Sequence, residues 1–172
     1  METHNKIFNT FNKLIQIKAF DDISVLEICK EAHVSTSSFY RHYKDKYDVM
    51  NDNYKRILDQ YMHSSQNHNY EDVFINLFNM SKELHYLKNA FDYTGIKSLG
   101  NFIYQYSYNT VIEMCKIKNI QFEDKDLLLL DVFCGGASIM YQHYILGKFD
   151  LSPQQAGKTL YQMFPDVFKI SW

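Results

Sequence analysis

Proline and glycine are scarce in this chain, numbering two and six among 172 residues. Tight turns are therefore few, and no run alternates apolar and polar residues for long enough to require a sheet. Cysteine is scarce too. Cys29, Cys115 and Cys134 are odd in number, far apart and set in apolar runs. That excludes a disulfide framework or a zinc spacing and fits a reduced, cytoplasmic setting. Neither sign of charge dominates, since the net charge is -2. A wholly basic, histone-like binder is excluded, and any nucleic-acid contact must come from a local patch. The first residues carry Glu2 and Lys6 and lack an apolar run, so no signal peptide is expected. One long apolar stretch, Leu127 to Leu146, is interrupted by Asp131, Ser138, Gln142 and His143. It reads as a buried helix rather than a membrane span. Paired carboxylates, a nucleophile elbow and a phosphate loop are all missing, which argues against an enzyme. His63 and His68, five apart beside a loop, make a poor metal pair, and His85 and His143 stand alone. No metal or cofactor is expected.

What the chain has in abundance is apolar surface: 46% of its residues are hydrophobic, with 14 tyrosines and 13 phenylalanines. A chain of this length buries roughly 70% of its unfolded surface, so a sizeable core is within reach. Helical spacing dominates throughout. Ile7, Phe8, Phe11, Leu14 and Ile15 form one stripe of a first helix that ends near Phe20, where Asp21 and Asp22 break the pattern. Ser24 sits at an N-cap position with Glu27 three residues on, a capping-box signature, and Val25, Ile28, Cys29 and Ala32 face inward beyond it. Ser35 can cap a third helix from Thr36 to about Tyr43, with Phe39 and Tyr43 inward. Asp45 reads as the cap of a fourth helix reaching about His63, whose inward positions are Val49, Tyr54, Ile57, Leu58 and Tyr61.

The polar run from Ser64 to Asn69 is the clearest loop. After it come a helix from Tyr70 to Leu87, a connector with a small helix over Asp92 to Gly100, and an aromatic-rich helix from Phe102 to Ile117. A long helix from Asp124 to Leu146 is stopped at Gly147, and a last helix starts at Ser152-Pro153 and ends before Pro165. The expectation is an all-α protein of about nine helices, without internal repeats.

The chemistry concentrates near the N-terminus. Only His33, Val34 and Ser35 separate the second helix from the third, so the two must cross steeply. The third helix opens with Thr36, Ser37 and Ser38, small hydroxyl side chains that can approach base edges or donate to phosphates. Tyr40, Arg41, His42, Lys44 and Lys46 follow, with Asp45 the one acid between His33 and Lys46. Lys46 falls in the first turn of its helix, against the dipole, and a phosphate bound there would account for it. The bland alternative is a solvated polar turn; the tight connection together with the hydroxyl-rich face weighs against it.

The run from Phe20 to Met50 resembles the DNA-binding domain of the TetR (tetracycline repressor-like) family, through Ser24-Val25, Ile28, Ala32, Val34-Ser35, Phe39-Tyr40, His42-Tyr43 and Lys46. The likeness is strong over about residues 7 to 50 and beyond that extends only to helix order and size. Two positions depart from the family pattern: His33 stands in the turn where glycine is usual, and Cys29 where alanine is usual. The resemblance implies a helix-turn-helix domain over residues 1–46 and a helical regulatory and dimerisation domain over 47–172. It places Thr36, Ser37 and Tyr40 at base edges or the adjoining backbone, and Ser24, His42 and Lys46 at phosphates. Ser35 belongs to the same face, and charge and proximity add Arg41 and Lys44.

A homodimer on a palindromic double-stranded operator is the implied assembly, in a cytoplasmic transcriptional regulator that is most simply a repressor. Gly135 and Gly136 support the dimer independently, because mid-helix glycine costs about 1 kcal/mol relative to alanine and is best explained by a close helix approach. Ile139, His143, Ala156, Leu160 and Met163 complete the expected partner surface. A small hydrophobic or aromatic ligand could lie among Phe91, Tyr93, Phe102, Tyr104, Tyr108, Tyr141 and Tyr144, although such a stripe also serves as plain core. The alternative is a co-regulator or activator whose C-terminal body binds a protein.

Overall fold

The computed structural model describes residues 2–62, 67–83, 87–91, 95 and 97–171, without the side chains of Met62, Lys82, Glu83 and Leu87. Among these residues the protein is all-α: α1 (Glu2–Ile17), α2 (Val25–Glu31), α3 (Thr36–Tyr40), α4 (Lys46–Met62), α5 (Tyr70–Glu83), α6 (Leu87–Ala90), α7 (Leu99–Lys118), α8 (Asp124–Ile145) and α9 (Pro153–Met163). Short 3-10 turns lie at Phe20–Asp22 and Asp166–Phe168. The expected ends shift modestly. The third helix stops at Tyr40 rather than Tyr43, and a small helix stands at Leu87–Ala90, whereas 92–94 and 96 of the expected connector lie outside the described residues. Leu84, Tyr93, His63, His85 and the stretch 64–66 lie outside the described residues. No described helix is long and apolar enough to cross a membrane.

Helix ends follow the local chemistry. Ser152 accepts from the backbone N–H of Gln155, whose side chain accepts in return from the Ser152 N–H, and Pro153 occupies the first helical position. Glu123 and Asp126 make the equivalent reciprocal pair at the start of α8. Gly147 leaves α8 with φ of 74°, a left-handed stop where glycine carries no penalty. Asn119 does the same after α7 at φ 55°, with the Ile120 N–H reaching the Cys115 carbonyl at 2.9 Å. The sequence reading missed that cap.

Two compact units result. The first comprises Met1–Asp59 with His85–Leu99, and the second Gln60–Leu84 with Gly100–Trp172. Ile7, Phe11, Ile15, Phe20, Ile28, Phe39 and Val49 build the core of the first, all fully out of solvent. There the Asn89 side chain ties α6 to α1, donating to the Ile15 carbonyl at 2.9 Å.

In the second unit Tyr70, Val111, Cys115, Leu130, Cys134, Phe164 and Phe168 form one buried cluster, against which Phe74, Tyr104, Tyr108 and Phe133 pack. Helices α5 and α9 come together closely at Gly157, where a Cβ would stand 2.6 Å from the Ile75 backbone. Ala156 and Leu160, expected on a partner surface, are instead buried here. The helix turns them toward its own chain because the same face carries Gly157.

Candidate nucleic-acid interface

The α2–turn–α3 unit is assembled from local hydrogen bonds. Ser24 caps α2, its Oγ accepting from the Glu27 N–H at 3.1 Å. The expected capping box forms only in this half, because the Glu27 carboxylate turns away to pair with Lys18. At the other end His33 takes φ 53°. Its N–H reaches the Lys30 carbonyl at 3.2 Å and the Val34 N–H reaches that of Cys29 at 3.0 Å. This is the Schellman pairing that normally uses glycine; histidine enters the left-handed region at some cost.

Ser35 then caps α3, accepting from the Ser38 N–H at 3.1 Å and donating to Ser38 Oγ at 2.9 Å. The Arg41 guanidinium donates to the same Ser38 Oγ at 2.9 Å. Phe39 is fully buried under α3. Thr36, Ser37, Tyr40 and Arg41 are exposed and recur at helical spacing along one face, with Tyr40 at 59% accessibility. A short helix that buries Phe39 must turn these neighbours outward.

The predicted phosphate ligands fare unequally. Lys44 is exposed, as is His42, whose ring meets His4 edge-on at 5.9 Å. Lys46, by contrast, is engaged inside the unit. Its Nζ donates to the carbonyls of Phe20 at 2.8 Å and Asp21 at 3.1 Å and lies 4.5 Å from the Phe20 ring centroid. A cation in the first turn of α4 is thus accounted for by the carbonyls of the preceding 3-10 turn. The N-terminal amides of α4 are also occupied: Asp45 Oδ1 accepts from Tyr47 at 2.9 Å and Asp48 at 3.0 Å. A carboxylate of the chain's own therefore fills the place expected for a phosphate. The hydroxyls of Ser24 and Ser35 are committed to caps in the same way.

Two features escaped the sequence reading. The first is a network around Tyr43, whose hydroxyl donates to Asp52 at 2.8 Å and meets His4 Nε2 at 2.8 Å, while Arg56 reaches His4 Nδ1 at 3.1 Å and Asp52 at 3.3 Å. Burial, with the hydrogen bond to Asp52 next, pushes the Tyr43 phenol well above its usual range. The second is Lys97, which pairs with Asp45 from 52 positions away. Burial raises the Asp45 carboxyl, but the Lys97 hydrogen bond and the Asp48 N–H outweigh it and leave it below its ordinary value. Neither feature has a sequence signature, since each joins elements far apart in the chain.

The remaining predicted residues divide. On α8, Gly136 and Ile139 are exposed, Gly135 and His143 half-buried, and an added Cβ at either glycine would meet nothing within 4 Å among the described residues. Leu128, Val132 and, on α9, Met163 are exposed as well, at 64, 68 and 71%. Leu160 is 4% exposed and contributes to the chain's own core.

Among the aromatics, Phe91 is buried in the first unit. In the second, Tyr104 and Tyr108 line the core cluster, Tyr104 donating to Asp131, while Tyr141 and Tyr144 pack edge-on against Phe78. Phe102 stacks at a tilt on Tyr106. Tyr93 lies outside the described residues.

A capped helix, a left-handed turn and a short helix with an outward polar face make a helix-turn-helix unit. Residues 10–52 match the family model for bacterial regulatory proteins of the tetR family. Over that stretch, about a quarter of its length, the chain is similar to those regulators. Solved structures share the fold over nearly the whole length. The dihydroxyacetone kinase operon activator DhaS aligns with TM-score 0.61 at 14% identity, covering 94% of this chain and 93% of its own. A TetR transcriptional regulator from Rhodococcus sp. RHA1 aligns at 0.57 and 14%, covering 96 and 94%. The fatty acid degradation regulator FadR from Bacillus halodurans aligns at 0.54 and 17%, covering 98 and 97%. No curated protein matches the chain in sequence.

Proposed function

We propose that the protein is a homodimeric repressor that binds a palindromic double-stranded operator and is released by a small hydrophobic or aromatic molecule. Residues 1–46 serve as the DNA-binding domain and 47–172 as the regulatory and dimerising body. The observation that carries the DNA reading is the exposed face of α3. Thr36, Ser37, Tyr40 and Arg41 stand outward on a helix short enough to enter a major groove. His42 and Lys44 flank it as phosphate contacts. Dimerisation is supported by the exposed apolar row Leu128, Val132 and Ile139, by Gly136 within it, and by Met163. A second copy of the same helix would cover this row and explain the glycines.

Binding to the duplex upstream of the protein's own gene, measured at two salt concentrations, tests the reading. Tyr40→Ala and Thr36→Val should weaken it by roughly tenfold or more, the scale of one lost base-edge contact, with little change in folding. Wild-type affinity in both variants sinks the assignment. Ile139→Glu should leave a folded monomer in sedimentation; a persistent dimer refutes the α8 interface.

A second reading, an activator or co-regulator whose body binds a partner protein, draws on the fold shared with a protein named as an operon activator. DNA binding insensitive to small hydrophobic compounds would favour it.

A further inference from the structure

Asp45 is the one acid between His33 and Lys46, and it cannot move aside, because its Oδ1 caps α4. Its exposed neighbour Lys44 belongs to the proposed DNA-facing surface, so a bare carboxylate here would oppose every phosphate drawn to that surface. The other carboxylate oxygen, Oδ2, is taken by Lys97 Nζ, from the segment that rejoins the first unit ahead of α7. The Lys97 ammonium also lies 5.8 Å from the Tyr47 ring centroid. Asp48, the next acid, has its Oδ2 bound to the Lys44 N–H at 2.9 Å.

We propose that Lys97 is a positioning residue of the DNA interface, outside the helix-turn-helix, that masks the charge of Asp45 so a charged helix cap can stand beside the phosphate backbone. The proposal rests on the DNA-binding reading and adds a residue to it. The pair itself is surface-exposed on the lysine side, with Lys97 60% accessible and Asp45 24%. Its contribution to folding is accordingly small, while its effect on an approaching polyanion is not. An asparagine at position 45 keeps a cap oxygen without the charge, which makes the two roles separable.

The test measures affinity for two duplexes, the one upstream of the protein's own gene and a random sequence of equal length. Lys97→Met unmasks the carboxylate and should weaken binding to both by about three- to tenfold at low salt, the size of one uncompensated charge near a phosphate. The deficit should shrink as salt rises. Lys97→Arg keeps the charge and should bind like wild type. Asp45→Asn should bind more tightly, and Asp45→Asn combined with Lys97→Met should recover wild-type affinity.

Unchanged binding in Lys97→Met overturns the proposal. So does a loss that persists in the double variant, since Lys97 would then touch phosphate directly. Loss on the specific duplex alone also counts against it, because a mask acts on backbone charge and not on sequence. Wild-type protein that binds neither duplex would overturn the DNA reading itself, a separate result.

Discussion

Replacing Gly157 by alanine should destabilise the protein even though alanine is the better helix former. A Cβ at this position would lie 2.6 Å from the Ile75 Cα, N and Cγ1. Two of those three atoms are backbone, so no rotamer change relieves the overlap. Helices α5 and α9 must separate by about 0.8 Å to restore ordinary contact, which loosens dispersion contacts along the whole seam. Ala156 and Leu160 sit in that seam, both nearly inaccessible. Overpacking of this kind costs about 1–3 kcal/mol, against about 1 kcal/mol gained in helix propensity. The net expectation is a loss of up to about 2 kcal/mol, or several degrees in Tm for a chain of this size. Thermal unfolding at one fixed protein concentration reads it.

Gly136→Ala is the internal comparison, since its Cβ would meet nothing within 4 Å among the described residues. Any destabilisation there must come from a second copy and should grow with protein concentration. A Gly157→Ala protein as stable as wild type would refute the close approach of α5 and α9.

Lys46→Met should lower stability by about 1–3 kcal/mol in the absence of DNA, because two charge-assisted bonds to carbonyls of the 3-10 turn, one part-buried and one exposed, and a ring contact are lost. Denaturant unfolding checks it, and unchanged stability would return Lys46 to the surface as a phosphate ligand. Stability should also fall at high pH. Burial, with the Asp131 charge second, raises the Cys134 thiol from 9.0 to about 12. A folded-state value above the unfolded one means its contribution is complete below 9.0 and is lost as pH climbs toward about 12, by up to about 1.4 kcal/mol per unit. Cys134→Ala should flatten that limb of the profile; an unaltered slope assigns it to other groups. With Cys134 only 1% exposed, a thiol reagent should be silent toward it until the protein unfolds.

Helices, their caps and the turn between α2 and α3 were legible in the linear chain because each depends on neighbours three to five residues away. Ser24, Ser35, Asp45 and Ser152 cap where their positions suggest, and His33 turns left-handed where glycine was absent. The outward face of α3 follows from Phe39 being the residue that must be buried. Tertiary structure alone decided which cations remain available. Lys46 and Lys44 stand two apart in sequence, yet one is drawn onto the Phe20 and Asp21 carbonyls while the other stays exposed. It decided likewise that, among the described residues, Gly157 and not Gly135 or Gly136 admits a neighbouring helix, and that Leu160 faces inward while Met163 does not. The pairing of Lys97 with Asp45, and of Tyr43 with His4 and Asp52, joins residues from distant segments. Periodicity reports which face of a helix is apolar; only the packed chain sets what that face, or a charge beside it, meets.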